Sequence, residues 1–252
     1  WVESSNKNTR DIINPYNQEV IFTVAEGTKE DTERAILAAR RSFEEGEWSL
    51  ETSEVRGKKV RAIADKIKEN REELAKLETL DTGKTLEESY ADMDDIHNVF
   101  MYFAGLADKD GGEIINTPIP NSESKVIKEP IGVVTQITPW NYPLLQASWK
   151  IAPALATGCS LVMKPSEITP LTTIRVFELM EEVGFPKGTI NLILGAGSEV
   201  GDVMSGHEEV DLVSFTGGIE TGKHIMKQAA DNVTAVSYTH LTLPTNREGK
   251  IS

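Results

Sequence analysis

From Pro130 onward, short runs rich in β-branched residues alternate with amphipathic segments, and this alternation constrains the fold of the 252-residue chain most strongly. A strand, a helix and a second strand in this order form a βαβ unit, and right-handed crossovers cover both faces of a parallel sheet. Strands are predicted at 131–138, 160–164, 190–194 and 212–215, and helices at 143–157, 170–183, 199–205 and 221–230. The pattern predicts an α/β protein with a Rossmann-type parallel sheet.

Apolar residues recur at helical spacing in the first third of the chain. They are Ala35, Ile36, Ala39 and Phe43, then Val60, Ile63, Ala64 and Ile67, then Leu74 and Leu77. Thr28 and Asp31 have the spacing of a capping box, which satisfies the first free amides of a helix. Another helix is predicted over 86–106 and is ended by Gly111–Gly112. Its inward residues are predicted to be Met93, Ile96, Phe100 and Phe103. These segments predict an amino-terminal helical layer.

Between the helical layer and the βαβ pattern, residues 115–130 carry turn-forming residues followed by an alternation of apolar and polar side chains. Pro118, Pro120 and Asn121 are followed by Val126 and Lys128. We expect a β-hairpin that projects from the body of the protein.

The regular alternation of helices and strands is predicted to stop at Ala235. We therefore divide the chain into a cofactor-binding domain over 1–235, interrupted by the hairpin, and a tail over 236–252. The tail continues no earlier pattern, which indicates a frameshift or an assembly artefact.

Composition excludes several classes of partner. The formal net charge is −14 and the calculated pI is near 4.8, so the chain repels nucleic-acid phosphates and anionic membranes. The sequence contains no apolar stretch of about 20 residues and no secretory leader pattern at its start. Its single cysteine, Cys159, fits a reducing compartment. We expect a cytoplasmic protein that binds a small molecule.

Four loops are expected to share one ligand-binding rim, because ligands of parallel sheets bind at the carboxyl ends of the strands. These loops are 139–142, 164–167, 195–197 and 215–218. The last two loops, 195–197 and 215–218, are glycine-rich turns that each precede a helix. Backbone amides at the start of a helix favour an anion such as a phosphate. Alternatively, the glycines only supply turn geometry. Lys164 and Glu167 present either a ribose-binding carboxylate with its cation or a solvated ion pair.

Three motifs together resemble the NAD-dependent aldehyde dehydrogenase superfamily. They are Thr138-Pro139-Trp140-Asn141-Tyr142-Pro143, Lys164-Pro165-Ser166-Glu167 and Phe215-Thr216-Gly217-Gly218. The resemblance runs from about Arg10 to Ala235 and implies oxidation of an aldehyde through a cysteine thiohemiacetal, with hydride transfer to NAD. Within that superfamily, segments 80–84, 140–143 and 148–153 look most like betaine aldehyde dehydrogenases, which form glycine betaine. A broad-specificity aldehyde dehydrogenase and a non-catalytic fragment that binds NAD or sister subunits are the alternatives.

The resemblance also implies roles for individual residues. Cofactor contacts are assigned to Thr138, Pro139 and Trp140 at the nicotinamide, to Lys164, Ser166 and Glu167 at the adenosine ribose, and to Gly197, Gly201, Phe215, Gly217 and Gly218 around the adenosine and pyrophosphate. Asn141 matches an oxyanion-binding asparagine, and the alternative for it is an Asx turn. Lys150 matches a charge-relay lysine or is a helix lysine that reaches solvent. Tyr142 and Trp149 are two helical turns apart and are assigned to the substrate.

Two further properties are implied by the resemblance alone. The carbonyls of Ile12 and Ile13, with Asp81, match a potassium site of the betaine aldehyde dehydrogenases. The complete protein is expected to form a homodimer or homotetramer. The family's cysteine nucleophile and general-base glutamate have no counterpart in this sequence, and Cys159 precedes a strand on the side away from the rim, so it is expected to be structural. We therefore expect a fragment that lacks the catalytic domain and is inactive alone.

Overall fold

The computed structural model describes residues 1–109 and 111–240. The first half contains β1 (Thr9–Ile13), β2 (Val20–Ala25), α1 (Lys29–Glu45), α2 (Ser53–Glu69), α3 (Arg71–Thr82), α4 (Leu86–Leu106), β3 (Glu113–Ile115) and β4 (Ser124–Val126). The second half contains β5 (Val133–Ile137), α5 (Pro143–Thr157), β6 (Ser160–Lys164), α6 (Leu171–Val183), β7 (Ile190–Leu192), α7 (Asp202–Gly206), β8 (Leu212–Gly217), α8 (Ile219–Ala230) and β9 (Ala235–His240). A π-helical turn over Gly197–Gly201 leads into α7.

The second half of the chain forms the predicted parallel sheet, with strand order β7-β6-β5-β8-β9. The chain first adds β6 and β7 on one side of β5 and then crosses back to place β8 on the other side. The central strands β5 and β6 are buried along their whole length, and three of the five residues in each are apolar. The α/β class and the parallel sheet are confirmed.

Alternating residues of the sheet point to two separate cores. One core joins Val134, Leu161 and Met163 of the sheet to α5 and α6 and, outside them, to α2, α3 and α4. The other core joins Val133 and Val162 of the sheet to α1, α7 and α8. The amino-terminal helices therefore cover the sheet from both sides, and they are not a single layer.

Several predicted boundaries are confirmed. The bounds of α5 and β6 are those predicted, and α4 runs over 86–106 with Met93, Ile96 and Phe100 buried. Phe103 is only partly buried. The capping box at Thr28 and Asp31 forms as predicted. The end of α4 differs, because the helix stops at Leu106 before it reaches the glycines.

Two strand segments were missed. The antiparallel pair β1–β2 lies where only helices were predicted, because just Ile12 and Val24 of the hairpin are buried and the apolar signal is weak. The alternation was predicted to stop at Ala235, but β9 continues to His240 in parallel with β8. The rest of the predicted tail, 241–252, lies outside the described residues.

The projecting hairpin is present as β3 and β4, which pair antiparallel. Ile114 and Ile119 on it are exposed. Its role in oligomerisation stays a prediction. Among the described residues, no helix is long and apolar enough to cross a membrane.

Candidate functional site

The register of the sheet brings the predicted loops to one rim. Ile137 at the end of β5 lies opposite Lys164 at the end of β6 and opposite Phe215 near the end of β8. The loops that follow these strands therefore begin at the same level of the sheet. Because β7 is parallel to β6, its glycine turn opens at the same edge.

Lys164 and Glu167 are a partly buried pair, which disagrees with the alternative of a solvated ion pair. The side chain of Lys164 is 3% exposed, and its Nζ lies 3.1 Å from Oε2 of Glu167, whose side chain is 35% exposed. Burial lowers the pKa of Lys164, and Glu167 offsets part of this effect. Burial opposes ionisation of Glu167, but the charge of Lys164 and local hydrogen bonds outweigh it and lower the pKa of Glu167. The pair presents an ionised carboxylate at the rim.

The two glycine turns leave helix amino ends open. Neither the π-helical turn nor α8 has a side-chain cap, so their first amides are free of such a partner. A Cβ built on Gly197 or Gly218 would meet nothing within 4 Å, which means that a ligand could approach the backbone there. At Gly217 the Phe215 ring would lie only 2.4 Å from such a Cβ, so Gly217 is required by packing as well. Gly201 is buried within its turn.

Asn141 and Thr138 follow β5 on the same rim. Oδ1 of Asn141 and Oγ1 of Thr138 are both buried and have no hydrogen-bond partner in the described protein. An Asx turn would need the amide of the residue two positions later, and Pro143 has none, so that alternative for Asn141 is wrong. Pro139 is buried, whereas Trp140 is 51% exposed. Orphaned polar atoms at this point indicate a place for a polar ligand.

Lys150 does not reach solvent as a surface lysine would. Its Nζ donates to Oγ1 of Thr216 at 2.8 Å and to Oγ of Ser214 at 3.3 Å, both on β8. Burial lowers the pKa of Lys150 to about 8. The lysine can therefore change its charge near neutral pH, next to the rim.

Tyr142 and Trp149 both face α4, and their assignment to the substrate stays a prediction. The hydroxyl of Tyr142 donates to Oε1 of Glu88 at 3.1 Å, and Nζ of Lys84 lies 4.1 Å from the ring centroid. Trp149 is 50% exposed and lines a cleft of about 450 Å³ between α5 and α4, with Asp95 among the other lining residues. A half-exposed indole beside a carboxylate offers a surface for a cation.

Cys159 lies at the amino end of β6, opposite the rim. It is 3% exposed, and its Sγ lies 3.5 Å from Oγ1 of Thr157. The strand β6 separates it from Lys164 at the rim.

Asp81 and Ile12, two of the three residues assigned to potassium, lie near the start of α6. Oδ2 of Asp81 accepts the Leu171 amide at 2.8 Å, while Oδ1 is buried without a partner. Ile12 packs in one cluster with Leu171, and Ile13 follows it in β1. Burial raises the pKa of Asp81 to about 8. The described residues contain no cluster of three His, Cys, Asp or Glu side chains that could hold a metal ion.

Two charged residues at the rim were missed by sequence reasoning. Arg10 and Glu26, on β1 and just after β2, line a narrow cleft whose opposite wall contains Ser166 and Glu167. No local pattern marks them, because they reach the rim only through docking of the hairpin.

Comparison with known proteins identifies the family of the chain. The model of the aldehyde dehydrogenase family matches residues 1–240. The chain belongs to the aldehyde dehydrogenase family. The match reaches five residues beyond the predicted domain limit and agrees with the extent of β9. The origin of the residues after it stays a prediction.

Individual members of the aldehyde dehydrogenase family are closely similar. Betaine aldehyde dehydrogenase of Bacillus subtilis (strain 168) is 66% identical over 237 residues, which are 94% of this chain and 48% of that protein. Aminoaldehyde dehydrogenase 1, peroxisomal, of Pisum sativum is 46% identical, over 89% of this chain and 46% of that protein. The chain thus spans about half the length of the curated relatives it matches.

A solved aldehyde dehydrogenase has the same fold. The 1.85 Å crystal structure of betaine aldehyde dehydrogenase from Staphylococcus aureus in complex with NAD⁺ superposes with a TM-score of 0.93 and 89% sequence identity. The superposition covers 94% of this chain and 47% of that chain.

Proposed function

We propose that this chain forms the cofactor-binding half of an NAD-dependent aldehyde dehydrogenase. The observation that carries the proposal is the convergence, on one rim, of an ionised Glu167 and two glycine turns with open helix amino ends. Amides at Gly197 and Gly218 suit a pyrophosphate, and the Glu167 carboxylate suits ribose hydroxyls. A relative of 89% sequence identity was solved with NAD⁺.

NAD, when bound, supplies the hydride acceptor for aldehyde oxidation. The chain's own residues would hold it in place. Thr138, Pro139 and Trp140 lie where the nicotinamide side is assigned, and Thr138 brings a buried hydroxyl without a partner. Lys164 neutralises part of the charge of Glu167 and fixes its position through the 3.1 Å contact. Ser166 and Phe215 complete the assigned cofactor contacts.

Asn141 and Lys150 are the residues of this half that act on the reacting groups. The Asn141 amide would donate to the oxygen that becomes negative during attack on the aldehyde, a contact whose loss costs about 100-fold or more in rate. Lys150, with its pKa lowered to about 8, can hold or release a proton at Nζ, and the Thr216 hydroxyl at 2.8 Å can carry it. The nucleophile and the general base belong to the half of the relatives that this chain does not cover.

Betaine aldehyde is the substrate that the residues favour, because Trp149 presents a half-exposed aromatic surface in a cleft to which Asp95 adds a negative charge. Tyr142, the other residue assigned to the substrate, carries Lys84 over its ring. Relatives named aminoaldehyde dehydrogenases support a broader range of amino aldehydes as the second candidate. Both candidates are aldehydes that carry a cationic group. A non-catalytic role in binding NAD or sister subunits is the remaining alternative.

Potassium would be a structural ligand of this half. Its support is Oδ1 of Asp81, a buried oxygen without a partner among the described residues, and the carbonyls of Ile12 and Ile13 would complete the donor set. Such a cation would stabilise the junction of β1, α3 and α6 rather than take part in the reaction. Assembly into a homodimer or homotetramer through the β3–β4 hairpin and a cytoplasmic location also stay predictions.

The test compares NAD with NADP in the full-length enzyme, meaning these residues joined to the half of the relatives that they do not cover. The ionised Glu167 should repel the 2′-phosphate of NADP, so turnover with NAD should be clearly more efficient. Equal or better use of NADP would contradict the assignment of Glu167. The 252-residue chain, measured in parallel, should form no NADH above a blank without protein.

A further inference from the structure

The cleft beside Glu167 has a second wall that comes from the β1–β2 hairpin. Arg10 and Glu26 of this wall face the same narrow space as Ser166, Glu167 and Gly195. If NAD binds as proposed, this space adjoins the adenosine ribose. The residues that distinguish a free 2′-hydroxyl from a 2′-phosphate should therefore include residues of this hairpin.

Arg10 and Glu26 form a two-pronged ion pair. Nε of Arg10 lies 2.6 Å from Oε2 of Glu26, and Nη2 lies 2.7 Å from Oε1. Oε1 of Glu26 also accepts the Ala196 amide at 3.1 Å, directly before the π-helical turn. The contact with Arg10 lowers the pKa of Glu26, so the carboxylate is ionised at neutral pH. Glu26 thus ties the hairpin to the glycine turn and occupies the guanidinium of Arg10.

The charges around the cleft are balanced only because of Glu26. Lys164 and Arg10 are positive, and Glu167 and Glu26 are negative. Without the Glu26 carboxylate, Arg10 in the cleft and the buried Lys164 behind Glu167 would be two cations near one anion. A guanidinium that is free to turn is also the preferred partner of a phosphate, because its donors match two phosphate oxygens.

We propose that Glu26 is a second determinant of cofactor choice. It engages Arg10 and adds a negative charge, and together with Glu167 it excludes a dinucleotide that carries a 2′-phosphate. This inference rests on the proposed binding of NAD and names a specificity residue of that same site.

The experiment measures dissociation constants of NAD and NADP for the full-length enzyme by calorimetric titration. Glu26→Gln keeps the size of the side chain and an acceptor for the Ala196 amide but removes the charge. We expect the dissociation constant of NADP to fall about tenfold, while that of NAD stays within about twofold. The matched control is Glu19→Gln, which makes the same charge change at an exposed position of the same hairpin and should shift neither constant.

Two more variants examine the role of Arg10. In the double variant Arg10→Ala/Glu26→Gln the gain in affinity for NADP should disappear. The gain is expected to come from the Arg10 guanidinium once Glu26 no longer holds it. Arg10→Ala alone should weaken NADP binding about 3- to 10-fold, because the Glu26 carboxylate then faces the cleft without its cation. Glu26→Asp, which keeps the charge, should retain the preference for NAD.

Three results would overturn the inference. One is an unchanged dissociation constant of NADP in a Glu26→Gln variant that still binds NAD. Another is a gain in affinity for NADP that persists in the double variant. The third is NADP binding in Arg10→Ala that is within about twofold of wild type or tighter, and this variant decides the matter even if Glu26→Gln fails to fold. Failure of the wild-type enzyme to bind NAD would instead refute the proposed function and is observed separately.

Discussion

Lys84 is predicted to hold together a buried acidic cluster between α3 and α4, and Lys84→Met should destabilise the protein strongly. The Lys84 side chain is 8% exposed, with Nζ 2.5 Å from Oδ2 of Asp92 and 3.6 Å from Oε1 of Glu78. Glu78 is fully buried, and the Asp92 side chain is 7% exposed. Methionine replaces the length of the lysine stem but leaves the two carboxyl groups without their cation.

The size of the effect follows from the burial of Glu78. Burial raises its pKa from 4.5 to about 7 even with Lys84 present, which corresponds to about 3 kcal/mol against ionisation. Removing one partner of a buried ion pair costs about 3–5 kcal/mol when the other partner stays charged. We therefore expect a loss of about 3–5 kcal/mol in the free energy of unfolding near pH 8.

The loss should depend on pH in a defined direction. A carboxyl group whose pKa is higher in the folded than in the unfolded state binds more protons when the protein is folded. The free energy of unfolding therefore falls as the pH rises above the pKa of the unfolded state. Lys84→Met raises the pKa of Glu78 and Asp92 further and extends this fall to higher pH. Near pH 5 Glu78 stays protonated with or without Lys84, and the cost should shrink to about 1–2 kcal/mol.

Urea unfolding at both pH values, followed by circular dichroism, measures the effect. Lys76→Met is the matched control, because Lys76 makes a 2.6 Å contact with Glu72 within the same helix α3, but both side chains are exposed. Lys76→Met should lower the free energy of unfolding by about 0.5 kcal/mol or less at either pH. A similar small loss in both variants, or a loss in Lys84→Met that does not change with pH, would refute the reasoning.

Two further predictions concern the full-length enzyme. Trp149→Ala should lower the efficiency for betaine aldehyde about 2- to 30-fold more than for a neutral aldehyde of similar size, because each aromatic contact with a cation contributes about 0.5–2 kcal/mol. Trp149→Phe should keep most of the difference, and equal losses for both aldehydes would show that the indole only packs. Cys159→Ser should leave turnover nearly unchanged, since this thiol lies at the end of β6 away from the rim. NADH formation by the 252-residue chain that is lost on Cys159→Ser would show that the nucleophile has been misplaced.

The parallel sheet could be predicted from sequence because its local signals agree with its tertiary environment. β5 and β6 are short, largely apolar strands that become fully buried. The helix α5 between them starts at Pro143, and Gly158 directly after it is left-handed. The position of the rim followed from the parallel arrangement alone. By contrast, β1 and β2 bury few residues, so a period-two apolar pattern could not reveal them.

The candidate site was predictable where motif residues lie directly after strands, as Asn141 and Glu167 do. It was not predictable where function depends on which distant elements meet. The environment of Lys150 depends on hydroxyls of β8 that lie more than 60 positions later. Arg10 and Glu26 enter the site through the docking of a hairpin whose residues form no recognisable motif.

The position of α1 has a consequence for synthesis of the protein. The apolar face of this helix packs against the sheet, and Arg40 on it bonds to Asp211, 171 residues later in the chain. A ribosome adds about 5–20 residues per second, so this partner emerges roughly 9 to 34 s after α1. The sheet surface that covers Ile36 and Ala39 is made earlier than this partner, with β5, β6 and β7. Until these strands are made, the new chain exposes an apolar helix face that chaperones can bind.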